Sequence, residues 1–191
     1  MKILLLLVLI FAFCLNTYNQ TTKKSCELVL KDAPVLRGLK LGMSEREVLS
    51  FFGVERIGEL VIFTTDRQVD YGYETITVSK EVFKKREEFR KVDKLKISLF
   101  NKKLFQIDIR YLQDEVRFEN PKQFAENLSS NFTLPLQAWN YSENDTFSGN
   151  LLCKEFELKI SPVFNEIILT DLITKNSIAN QEEQKRKKFK P

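Results

Sequence analysis

The chain has 191 residues, 30 Lys and Arg against 26 Asp and Glu, a formal net charge of +4 and no histidine. Without imidazole, Ser-His-Asp and Cys-His catalysis are excluded, as are histidine-ligated zinc and histidine acid–base chemistry. Sixteen Phe against six Gly describe a packed aromatic core and not a disordered chain, and the interspersed charges create no strong overall field.

Met1-Lys2 precede an unbroken apolar run from Ile3 to Leu15, which exits through Asn16, Thr17, Asn19 and Gln20. A positive start, a short greasy segment and a polar exit read as a secretory signal over residues 1–20. The run is shorter than the ~20 apolar residues that span a bilayer, so membrane association is expected to be peripheral only. The expected location is outside the cytosol, periplasmic or secreted. Lipidation of Cys14 is disfavoured by Phe13, since bacterial lipoprotein signals place a small residue before the cysteine. One domain is expected over 21–175, large enough to bury a real core, with a flexible basic tail at 176–191. Cys26 and Cys153 are the even pair left after export. They read as a disulfide, the alternative being two separate buried thiols.

In chain order, Cys26–Leu30 suits a short strand. Ser44 and Glu47 have capping-box spacing and Gly53 suits a left-handed stop, predicting a helix over 44–52 with Val48, Leu49, Phe51 and Phe52 on its apolar flank. Residues 59–65 are β-branched and apolar, and 70–79 alternate with period two, predicting two strands. The charged stretch 80–92, with Val82, Phe83, Phe89 and Val92, predicts a surface helix. Leu95, Ile97 and Leu99, then Phe105, Ile107, Ile109 and Tyr111, alternate with polar residues around the turn Asn101-Lys102-Lys103, predicting a hairpin. Asn120-Pro121 opens a second helix with Phe124, Leu128 and Phe132 on its buried stripe. A loop then carries Trp139, Asn144 and Gly149. A second hairpin pairs 151–160 with 166–173, and the remaining tail has no apolar period. The fold class is therefore α+β: an antiparallel sheet of hairpins with short helices on one face. The order suggests two repeated helix–hairpin units, 38–112 and 118–173.

Leu41-Gly42-Met43-Ser44, followed by Glu47-Val48 and Phe52-Gly53, resembles the Gly-Met-Ser/Thr helix motif of small exported bacterial proteins. These are the outer-membrane lipoproteins of the SmpA/OmlA type and the beta-lactamase-inhibitor-like fold. The resemblance covers about a dozen residues and the order of elements. It implies helices on an antiparallel sheet and a non-enzymatic binding role, with Gly42, Ser44 and Gly53 as fold-makers.

No constellation for chemistry emerges. A nucleophilic Cys153 would need an activating base and release from its bridge. Asp108, Asp114, Glu115, Asp145 and Asp171 are scattered carboxylates that read as solvated strand and loop positions. The six glycines are dispersed singly, so no phosphate loop and no cofactor is expected. Lys84, Lys85 and Arg86 in the middle, and Lys187 and Lys188 in the tail, are the candidate anion contacts. Interleaved Glu81, Glu87 and Glu88 favour a solvated face there, and no specific nucleic acid is expected. Five Asn-x-Ser/Thr sequons, at Asn19, Asn127, Asn131, Asn140 and Asn144, bear on glycosylation only in a eukaryotic host. Among the aromatics, Trp139 and Tyr141, in a polar loop, are the expected contacts for a protein partner. The expected function is non-catalytic protein–protein binding, the alternative being anionic polymer or a membrane surface through the basic middle and tail.

Overall fold

A computed structural model describes residues 25–68, 72–113, 120–142 and 148–188. The signal, Cys14, Asn19, Tyr71, Asp114, Glu115, Asn144 and Asp145 lie outside these residues.

Helix α1 is Glu45–Phe52, and both halves of its capping box form. Ser44 Oγ accepts from the Glu47 amide at 3.3 Å while Glu47 Oε2 accepts from the Ser44 amide at 2.7 Å. Gly53 ends the helix at φ +68°, a conformation that a Cβ would oppose. Two short helices follow, α2 (Ile57–Leu60) and α3 (Lys80–Phe83). Helix α4 (Pro121–Phe132) starts as its sequence predicts: Asn120 Oδ1 accepts from the Gln123 amide at 2.8 Å, with proline at the first helical position.

Eight strands form one antiparallel sheet: β1 (Val61–Gln68), β2 (Tyr73–Val78), β3 (Val92–Phe100), β4 (Lys103–Tyr111), β5 (Trp139–Ser142), β6 (Ser148–Leu152), β7 (Phe156–Ser161) and β8 (Glu166–Asp171). Their order is β1-β2-β3-β4-β8-β7-β6-β5. Each half supplies one long-faced helix and four strands, and the halves meet where β4 pairs with β8. The register carries one apolar row across seven strands: Ile76, Ile97, Ile107, Leu169, Leu158, Leu151 and Trp139 lie directly opposite one another in turn. Opposed residues share a face. That face meets Val48, Leu49 and Phe52 of α1 and Phe124, Ala125 and Leu128 of α4 in a single core.

Several expectations need correction. The span 151–160 is two strands, not one, because the chain turns at 153–155. Cys153 is joined there to Cys26 by a disulfide that spans 127 residues of sequence. Leu30 binds the same turn, donating its amide to Glu155 at 2.8 Å, so 26–30 is a strap with one bridge and no full strand. The segment around Trp139 is strand β5. Over 80–92 the helix stops after α3, and a 3-10 turn follows at Glu87–Phe89. Phe83 and Phe89 are both fully buried, and six residues on a straight helix would turn them to opposing sides. The tail is also helical, α5 (Leu172–Lys188), although none of its residues is buried. Its start is capped by Asp171, whose Oδ1 accepts from Ile173 and Thr174 amides at 2.9 and 3.1 Å. Glu183 and Lys187 pair at 2.7 Å one turn apart, a local stabilisation that leaves no apolar period to read.

Two outcomes follow. Ser44→Ala should cost about 1 kcal/mol through loss of the cap, read as a lower denaturant midpoint with unchanged slope. Replacing Cys26 and Cys153 by serine should cost up to roughly 5 kcal/mol by the chain-entropy relation for so long a loop, read in the same way.

Candidate functional site

Among the described residues the second face of the sheet is polar, and helix α5 reaches it only at β7, through Lys175. Directly opposed across strands β2 to β7 are Thr77, Lys96, Asp108, Ile168 and Lys159, with Asn150 and Asn140 completing the row to the far edge. A parallel row holds Thr75, Ser98, Gln106, Thr170 and Glu157. Neighbours within this second row are bonded across the strands: Thr75 and Ser98 hydroxyls lie 2.9 Å apart, and Thr170 donates to Gln106 at 3.4 Å. Tyr73 packs against Phe105 beside them, ring centroids 5.6 Å apart and planes tilted by 51°, adding aromatic surface toward the first half.

Charge alternates along this face. Lys96 Nζ is 3.8 Å from Asp108, and Lys159 and Lys175 stand 3.4 and 3.5 Å from Glu157. Asp108 is only 9% exposed. Burial pushes its carboxyl up to about 6; the neighbouring Glu166 carboxylate adds to the rise, while Lys96 and Lys94 oppose it. Across the seam, Glu166 lies opposite Arg110, so the acid pair sits at the junction of the two halves.

At the second half, a hollow of about 520 Å³ is lined by Tyr141, Phe164, Asn150, Lys159 and Glu166 among others. Tyr141 is 39% exposed and Phe164 51%. Burial, with the Glu126 carboxylate nearby, holds the Tyr141 hydroxyl above its usual range.

The structure separates the expected partner contacts. Tyr141 stays at the surface. Trp139 does not: it is 4% exposed, ends the apolar row, and its indole donates to Ser129 on α4 at 2.9 Å. A tryptophan in polar sequence context is here a core residue, because its polar neighbours fall on the alternate face of a strand. Cys26 and Cys153 are bridged. Asp171 is a helix cap. The candidate anion contacts are not one cluster in sequence or element. Arg86 is committed locally, donating to the Phe51 carbonyl at 2.7 Å, pairing with Glu88 at 3.1 Å and lying 4.0 Å over the Phe51 ring. Lys84 and Lys85 follow α3 and are exposed; Lys187 and Lys188 are exposed in the last turn of α5. Sequence reasoning counted Lys96 only as part of the basic middle and passed over Lys159, Glu157, Glu166 and Phe164. Their signal was the polar half of each strand's alternation, which marks a wet face but says nothing of which strands become neighbours.

Among the described residues no group of three or more acids or cysteines could hold a metal ion, and no helix is long and apolar enough to cross a membrane. No family model matches the chain, and no curated protein matches it. Two solved structures are similar in part. One is an extracellular protein containing an SCP domain from Bacillus anthracis, at 11% identity and TM-score 0.40, covering 82% of this chain and 50% of that one. The other is a cysteine-rich secretory protein from Staphylococcus aureus, at 8% identity and TM-score 0.37, covering 70% and 45%. The chain thus spans about half the length of each.

Asp108 sets a pH signature. Its folded-state carboxyl sits near 6, above its ordinary 3.8, so folding favours the proton. The group therefore stabilises the fold most below about pH 4, and that stability is lost as pH rises from about 4 to 6. Asp108→Asn should raise stability at pH 7 by roughly 1–3 kcal/mol and flatten the wild-type decline between those limits. Urea denaturation of both chains across that range reads the difference.

Proposed function

We propose that the chain is an exported, non-catalytic protein that binds a protein partner through the polar face of its sheet. The observation that carries this reading is the width and patterning of that face. Eight strands at ~4.8 Å spacing span about 34 Å, and five or six residues of strand add about 18 Å in the other direction. The product, on the order of 600 Å², is close to the ~800 Å² that each partner contributes to a standard interface. Exposed Lys159 and half-buried Lys96 and Glu166, set over the buried carboxylates of Asp108 and Glu157, suit a partner with a complementary mosaic of charge and give little attraction to a uniform polyanion. Phe164, 51% exposed in the turn between β7 and β8, supplies an exposed aromatic anchor at one end. Export is supported by the N-terminal signal pattern and by a disulfide, which persists in oxidising compartments.

A photo-crosslinking residue at Lys159, in chain expressed in its native host, should capture a discrete protein. The same residue at Lys122, exposed on the helix side, should not. Equal capture at both positions, or none at Lys159, overturns the reading. The alternative, an anionic surface, is favoured only by α5, which buries nothing and ends in Lys185, Arg186, Lys187 and Lys188. It requires binding to anionic vesicles that falls steeply with salt and disappears when Lys187 and Lys188 are both changed to Glu.

A further inference from the structure

On the helix side of the sheet, a cleft of about 670 Å³ opens between α4 and the turn that precedes α1. It straddles the seam between the halves, since Tyr111 ends β4 and Ile167 lies on β8. Val35, Phe124, Leu128 and Phe132 give it an apolar lining, and Asn127 and Asn131 stand on one lip. Arg37 stands on the other.

The backbone at Arg37 is unusual. Arg37 has φ +55° and Gly38 φ +88°, and Leu36 and Leu39 exchange hydrogen bonds at 2.9 and 3.0 Å around them. Two positive φ values make this a type I′ turn, whose favoured pair is Asn-Gly; arginine at the first position carries local strain. The turn is pinned by Leu36 and Leu39, 3% and 0% exposed. It holds the Arg37 guanidinium 5.2 Å over the Tyr111 ring, with Nε donating to the Tyr111 hydroxyl at 3.3 Å. Among the described residues no carboxylate forms an ion pair with Arg37. The nearby Glu88 and Glu87 are engaged by Arg86 and Arg90, at 3.1 and 3.3 Å.

We propose that this cleft docks an acidic amphipathic peptide segment of a protein partner, with its apolar side chains in the cleft and a carboxylate on Arg37. A strained arginine without a counter-ion, at the mouth of an apolar cleft, is matched by an anion with greasy neighbours. A guanidinium fork takes a carboxylate in two parallel hydrogen bonds. Val35 on its lip is 46% exposed, so a bare hydrocarbon chain would keep one side in water, whereas a peptide turns its polar flank outward. The cleft lies on the other side of the sheet from the polar face, and it stands or falls independently of that face.

Panning a random-peptide display library against the full, disulfide-bonded chain tests it. Enriched peptides should pair Glu or Asp with apolar residues at helical spacing. A synthetic copy should lose at least about ten-fold in affinity for Arg37→Asn. That substitution suits the turn and should raise the melting midpoint, which separates lost binding from lost structure. Val35→Glu, on an exposed lip, should weaken binding similarly through repulsion and carries the test if Arg37→Asn misfolds. No enrichment, enriched peptides without acids, or affinity unchanged by either variant overturns the proposal.

Discussion

Everything in this fold depends on the register between β4 and β8. Ile107 faces Leu169 and Ile109 faces Ile167, all almost wholly buried. A slip of one residue there would turn the whole second half over, because side chains alternate between faces with a period of two. The apolar row would then break at the seam, exposing Leu158, Leu151 and Trp139 and burying Lys159 and Asn150 instead. Hydrophobic burial at the core face therefore also determines the composition of the opposite face. The charged rows are not placed independently; they are the other half of the same alternation.

The same register explains why two helices suffice. Helix α1 covers the first half and α4 the second, and both drive aromatic and aliphatic side chains into one core. The N-terminal strap closes the arrangement. Cys26 and Leu30 reach the turn between β6 and β7, while Gly42 and Glu45 donate to the β3–β4 hairpin at 2.7 and 2.8 Å. A segment with little regular structure thus ties the two halves together at their far corners, leaving a cleft where it passes α4.

Local signals in the sequence were specific where the chemistry is local. The Ser44–Glu47 box, the Asn120-Pro121 start and the β3–β4 alternation each depend on residues a few positions apart, and each formed as read. Most of the misreadings share one cause, which is distance. Trp139 has polar neighbours in sequence, but its partners are Leu151 across a strand and Ser129 ten residues back. The strand break at 153–155 answers to Cys26, far away in the chain. The acid pair of Asp108 and Glu166 is brought together by strands that meet only in the folded sheet. Helix α5 was missed for a different reason: it forms by capping and side-chain pairing without burying anything, and apolar periodicity is blind to such a helix.

The character of the acid pair bears on what the polar face does. Two carboxyls that share a proton are a known catalytic device, and a raised Asp108 invites that reading. Their setting argues otherwise. Glycoside hydrolysis needs the carboxyls to flank a bond in a cleft, about 5 Å apart or more. Here the two acids adjoin each other on one face of a sheet, Asp108 largely buried with Lys96 3.8 Å away, while Arg110, opposite Glu166 in register, turns its guanidinium to Asp93 at 3.5 Å. What the sheet does provide is charge held in position by neighbours on adjacent strands, and the proposed protein-binding role draws on that, since charge already ordered loses little entropy on association.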